Sequence, residues 1–153
     1  MKYYSIYLCF FSLFFACESE EKVMDYSHVP DAFTVEIMAS AGQANQQSFL
    51  PNIGNIGYLD ETKNTVVLVL SESLPVGQVI YARPLGVLQI MERDQLKNVV
   101  VASPIDTTLR LSTTTNFETF ITKNAGEKQI IQDWFLYQKG LGKTTLVGWE
   151  NEK

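Results

Sequence analysis

Few residues in this chain could carry chemistry. His28 is the only histidine and lies in the segment before Pro30, so no histidine metal site and no histidine-based triad can be assembled. Gly140-Leu141-Gly142-Lys143-Thr144-Thr145 is shaped like the end of a phosphate-binding loop, but Tyr137 stands where that motif needs its first glycine. The segment also leaves a helical pattern for an extended one, the reverse of the order that motif requires. What remains is charge of both signs in two polar stretches, Asp60, Glu61 and Lys63 in one and Glu92, Asp94 and Lys97 in the other.

Cys17 is the remaining reactive group. Met1, Lys2 and the apolar run from Ile6 to Ala16 make a short positive start followed by a hydrophobic region too short to span a bilayer, the layout of a secretory signal. Phe14-Phe15-Ala16-Cys17 resembles a bacterial lipobox, in which a small residue precedes the cysteine that becomes the acylated first residue of the mature chain. The alternative is ordinary cleavage after Ala16 with Cys17 a free thiol. Cys9 goes with the removed segment, so one cysteine is left and no internal disulfide can form. Stability must then come from core packing. Lipid-linked cysteines of this class carry more than one acyl chain, which gives durable anchoring where a single chain is marginal.

Glu18-Ser19-Glu20-Glu21-Lys22 is too polar to order itself and reads as a tether. Such an acidic stretch also resembles the export signal of some surface lipoproteins; a plain solvated linker is equally compatible. The expected plan is a signal peptide over 1–16, a lipidated cysteine with a flexible tether over 17–31, and one folded domain over 32–153. The expected location is a bacterial membrane, the outer membrane or the cell surface. Of 12 basic and 17 acidic residues, only Lys2 is lost with the signal, leaving 11 against 17 and a net charge of −6. That balance argues against nucleic acid and against electrostatic attachment to anionic lipid. About 120 residues remain after the tether, enough for one domain with a single core.

The elements that must position the charged residues follow from hydrophobic period. Phe33-Thr34-Val35-Glu36-Ile37 alternates, and Thr65-Val66-Val67-Leu68-Val69-Leu70 is an unbroken β-branched and apolar run, as a strand covered on both faces requires. Between them, Ala39 to Gln47 and Pro51-Asn52-Ile53-Gly54-Asn55-Ile56-Gly57 read as loop with short extended pieces. Pro75-Val76-Gly77-Gln78 makes a tight turn into Val79–Ile90, an extended segment bent near Pro84 and Gly86. Asn98–Ser103 is a further strand stopped by Pro104. From Glu127 to Gln138, Ile130, Ile131, Trp134, Phe135 and Tyr137 fall on one broad face, which predicts an amphipathic helix ended by Gly140 and Gly142. Thr144–Trp149 closes the chain as a short strand. The fold class is mainly β, a compact barrel of about five strands with a C-terminal helix.

The order of these pieces resembles the soluble family I inorganic pyrophosphatases. The residues that carry the likeness are Phe33–Ile37, Val67–Leu70, Pro75–Ile80, Arg83–Leu88, Val99–Pro104, Trp134–Tyr137 and Gly148–Asn151, in the same order and at closely similar spacing from about Ala32 to Asn151. The resemblance implies a five-stranded barrel of the oligonucleotide/oligosaccharide-binding type with flanking helices. It also implies hydrolysis of pyrophosphate to two phosphates, with clustered aspartates holding several Mg²⁺ ions that lower the pKa of a bridging water. Bacterial members commonly assemble as hexamers, so a homo-oligomer is expected.

At the site the likeness breaks. The family signature Asp-x-Asp-Pro-x-Asp falls on Glu61-Thr62-Lys63-Asn64-Thr65-Val66, so one carboxylate is lengthened, one becomes a cation and one becomes aliphatic. An acidic loop after the bent strand supplies two more family aspartates and a phosphate-binding lysine, and those positions fall on Glu92, Lys97 and Val99. Two family tyrosines fall on Leu50 and Ile53, a lysine on about Asn45, and a Tyr-Lys pair at the helix end on Tyr137-Gln138. The remnant catalytic candidates are Glu61, Glu92 and Tyr137; the metal candidates are Asp60, Glu61, Glu92 and Asp94.

If the barrel geometry is kept, Lys63 and Lys97 sit where carboxylates faced Mg²⁺ and can pair with Glu61, Glu92 or Asp94 as metal-replacing cations; the alternative is solvated loop charges without partners. Three functions follow. The chain is a non-catalytic, lipid-anchored relative that binds a partner or small anion such as pyrophosphate, with no cofactor. Or it is a diphosphatase that uses a reduced carboxylate set with Mg²⁺. Or it is a structural surface module whose cleft is filled by side chains.

Overall fold

The computed structural model describes residues 31–42, 54–59 and 65–151. Its strands are β1 (Phe33–Ala39), β2 (Asn55–Leu59), β3 (Val66–Val69), β4 (Val79–Glu92), β5 (Gln95–Pro104) and β6 (Thr144–Glu150). Between β5 and β6 come a 3₁₀ turn at Thr107–Leu109, helix α1 (Phe117–Lys123) and helix α2 (Ala125–Tyr137). The sheet order is β1-β2-β3-β5-β4-β6, and β1 also pairs with β4, which closes five strands into a ring and leaves β6 outside it. β3 and β5 run parallel, and the other neighbours are antiparallel. This is the mainly β, five-stranded barrel with a C-terminal helix that the residue pattern predicts.

β4 makes the closure possible because it is long and bent. Its start pairs with β1 through Phe33↔Ala82 to Glu36↔Val79, while its later part lies between β5 and β6. The register with β5 slips between Pro84 and Gly86, where proline can supply no ladder N–H and the strand turns the barrel's corner. A Cβ on Gly86 would fall 2.6 Å from the Phe117 ring and 3.2 Å from the Glu150 carbonyl oxygen, so the bend is also where α1 and β6 close in.

Two apolar layers share these strands. Val35, Ile37, Val67, Val69, Ile80, Ala82 and Ala102 form one cluster, which fills the barrel. Leu68, Leu85, Leu88, Ile90, Val99 and Val101 form the other with Phe120, Ile131 and Phe135 of the helices. β3 supplies both layers by strict alternation, which is why its sequence is apolar throughout. Phe120 and Ile131 are fully buried, and each such side chain contributes roughly 1.5–3 kcal/mol of transfer free energy.

Asparagines start both helices, α1 through a side-chain cap and α2 through main chain alone. Asn116 Oδ1 accepts the Thr119 amide at 2.9 Å and opens α1. Asn124 closes α1 through its own amide, which donates to the Phe120 carbonyl, and opens α2 with its carbonyl, which accepts from Lys128. The Thr114 hydroxyl donates to its side chain. Among the described residues no helix is long and apolar enough to cross a membrane.

Three sequence expectations need correction. The stretch ending at Gly57 reads as loop with short extended pieces, yet its last residues open a full strand, Asn55–Leu59, paired on both sides. Gly57 marks close approach and not a turn, since a Cβ there would meet Val35 Cγ1 at 2.4 Å and the Glu36 carbonyl oxygen at 2.6 Å. The apolar face of α2 is narrower than expected: Ile131 and Phe135 are buried, whereas Ile130 and Tyr137 are about half exposed, at 50% and 54%. Finally, the acidic loop implied after the bent strand is a two-residue turn. Arg93 and Asp94 have φ of 50° and 62°, and Glu92 pairs directly with Gln95, the geometry of a tight hairpin whose twist suits the strands. Lys97 and Val99 therefore lie on β5 itself.

Candidate functional site

The face of β4 that meets the helices reads Leu88, Ile90, Glu92, so an apolar row ends on a carboxylate. Lys97 on β5 stands opposite Ile90, one step diagonally from Glu92, a separation that a long side chain spans. Its Nζ lies 2.6 Å from Glu92 Oε2. Lys139, just past the end of α2, reaches the other oxygen, Oε1, also at 2.6 Å. Glu92 is 7% exposed as a residue, while the two lysine side chains are 46% and 41% exposed. The hydrogen bond from Lys139 and then that from Lys97 lower the Glu92 pKa from 4.5 to about 2, against the opposing effect of burial.

This triad lines a cleft of about 300 Å³ between the barrel and the C-terminal part of α2. Ile56, Val66, Ile90 and Val99 contribute from the strands, and Trp134 and Phe135 from the helix. Val66 and Val99 are register partners across the parallel β3–β5 pair. Two of the positions implied by the family likeness, Val66 and Val99, have therefore become adjoining aliphatic surface in the cleft.

Of the predicted site residues, the fold brings Glu92 and Lys97 together and places Gln138 on the cleft wall. Asp94 lies in the exposed hairpin turn, and neither it nor Tyr137 lines the cleft. Cys17, Asp60, Glu61 and Lys63, like His28, Asn45, Leu50 and Ile53, lie outside the described residues. Lys139 was missed. The signal for it was a lysine one position beyond Tyr137-Gln138, where the family carries a Tyr-Lys pair.

The described side of the cleft does not fit Mg²⁺. Both carboxylate oxygens of Glu92 accept from ammonium groups, and a divalent cation on the same oxygens would face two fixed positive charges. No group of three or more His, Cys, Asp or Glu that could hold a metal occurs among the described residues. What the arrangement offers is two half-exposed ammonium groups held by one buried carboxylate at the edge of an apolar surface.

Comparison with known proteins agrees with the fold. Solved inorganic pyrophosphatases superpose on it: that of Thermus thermophilus with a TM-score of 0.68 at 20% identity, covering 84% of this chain and 86% of the other, and that of Helicobacter pylori with 0.58 at 20% identity, covering 84% and 89%. A truncated Trypanosoma cruzi vacuolar soluble pyrophosphatase in complex with PPi gives 0.62 at 11% identity, covering 86% and 67%. At such identities these likenesses speak for the fold alone. No curated protein matches the chain in sequence. The family model for inorganic pyrophosphatase, however, matches residues 18–153, and this chain belongs to the inorganic pyrophosphatase family.

Proposed function

We propose that this chain is a non-hydrolytic, lipid-anchored pyrophosphatase relative whose cleft holds a small anion. The observation that carries this reading is the double pairing of Glu92, with a lysine ammonium 2.6 Å from each carboxylate oxygen. A carboxylate so engaged is a poor Mg²⁺ ligand, and without Mg²⁺ nothing generates the nucleophilic water that hydrolysis of pyrophosphate needs. The competing reading, hydrolysis with a reduced set of Asp60, Glu61, Glu92 and Asp94, loses support because Asp94 belongs to the exposed hairpin turn and Glu92 is already neutralised.

The test is phosphate release from pyrophosphate in millimolar Mg²⁺. The expected result is no turnover above the uncatalysed background. Turnover of roughly 10 to 1,000 per second, in the range of ordinary enzymes, would overturn the reading.

Anchoring rests on the sequence: a positively charged start, a short apolar run, and Cys17 directly after Ala16. Export to the outer membrane or cell surface as a lipoprotein, and self-association of the folded domain, complete the proposal. Radiolabelled palmitate should be incorporated by the native chain and lost in Cys17→Ala. Equal labelling of both would refute the anchor.

A further inference from the structure

The cleft is built for a different class of anion than pyrophosphate. We propose that its ligand is an organic monoanion, one carboxylate on an apolar body, with the charged end held by Lys97 and Lys139 and the body lying over the aliphatic surface of Val66, Ile90 and Val99. This inference rests on the anion-site reading above and specifies its ligand.

Charge comes first. Two ammonium groups against one carboxylate leave the triad with one net positive charge. One surplus charge balances one anionic group, and a polyanion would stay largely uncompensated beside a surface unable to solvate it. Donor capacity agrees with this. Each ammonium has three N–H groups and spends one on Glu92, which leaves both with donors for a second carboxylate. Glu92 itself, nearly buried at 7% exposure, fixes where the lysine heads sit, so they are oriented before a ligand arrives.

The apolar surface comes second. Ile56, Val66, Ile90, Val99, Trp134 and Phe135 all face the same volume as the two lysines. Phosphate oxygens set against them would give up water for hydrocarbon, at about 1–3 kcal/mol for each unpaired polar group. A ring or short alkyl body gains there instead, at about 25 cal/mol per Å² of apolar surface removed from water. A volume near 300 Å³ that combines these apolar side chains with the charged triad and the neutral polar groups of Tyr58, Asn98, Gln138 and Thr144 has the size and the mixed lining of a site for a small organic molecule.

The test titrates three probes into the protein as isolated from its producing cell in detergent: phenylacetate, which has the charge and the body; acetate, which has the charge alone; and pyrophosphate, the polyanion. The same titrations into Lys139→Met and Lys97→Met subtract whatever partitions into micelles, and both lysines are exposed enough for the variants to fold. Phenylacetate is expected to bind at least about tenfold more tightly than either other probe, and each lysine variant to lose about tenfold of that affinity. Tighter binding of pyrophosphate without hydrolysis would overturn this inference and leave the anion site standing. Hydrolysis of pyrophosphate, or saturation by none of the three, would overturn both. Phenylacetate binding that survives both lysine variants unchanged would also refute the assigned site.

Discussion

Asn55 and Glu92 are two polar side chains sunk into the same fold, and their partners differ in kind. Asn55 is fully buried at the start of β2, where its Oδ1 accepts from the amides of Ala41 and Leu74 and its Nδ2 donates to Ser71 Oγ and the Glu72 carbonyl. Three of those four partners are main chain. The amide thus ties the end of β1 to the segment after β3 and has no hydrogen-bonding capacity left. Among the described residues Glu92 is held only by the tips of two half-exposed lysines that keep donors to spare. One node is closed and structural. The other is open toward a cleft, which is the arrangement expected where something binds.

The sharpest way to break this contrast is to remove each node. Asn55→Ala should cost about 3–5 kcal/mol, read as a drop in the urea midpoint, because the Ala41 and Leu74 amides are then buried without acceptors. A loss below about 1 kcal/mol would mean that these segments find other partners.

Glu92→Gln should cost less, about 1 kcal/mol, since the freed ammonium groups can turn into water. Its signature is in pH. The Glu92 pKa is lowered in the fold from 4.5 to about 2, so its contribution is fully present above the ordinary value and disappears as pH falls from about 4.5 through about 2. Wild-type stability should fall more steeply than that of Glu92→Gln across that window. Parallel curves would show that the pairing contributes nothing in solution.

The smallest effects on stability belong to the lysines. Lys97→Met and Lys139→Met should each change it by no more than about 0.5 kcal/mol. Each should raise the Glu92 pKa, followed by NMR titration of its carboxyl carbon. No rise in either variant would show that the lysines do not hold the carboxylate in solution.

How much could be read beforehand follows physical lines. β1, β3, the bent β4 and α2 announce themselves through period, and Pro84 and Gly86 mark the bend where it occurs. β2 was hidden because Asn55-Ile56-Gly57 has the composition of a turn, whereas its glycine is needed to let β1 approach and its asparagine to bind main chain. α1 was not foreseen: a seven-residue helix of Phe, Thr, Ile, Glu and Lys shows too few turns for its period to register. At the site, Glu92 and Lys97 could be singled out because they sit five residues apart around one turn. Lys139 could not, because it contacts Glu92 from 47 residues away and only the folded position of α2 brings it there.

The central claim is that lysine ammonium groups, and not Mg²⁺, neutralise Glu92. Thermal unfolding in about 10 mM Mg²⁺ and in EDTA, for the wild type and Glu92→Gln, tests it most directly. The account predicts no Mg²⁺-dependent change in Tm that distinguishes the two proteins. A saturable rise of about 5 °C or more in the wild type that vanishes in Glu92→Gln would contradict it.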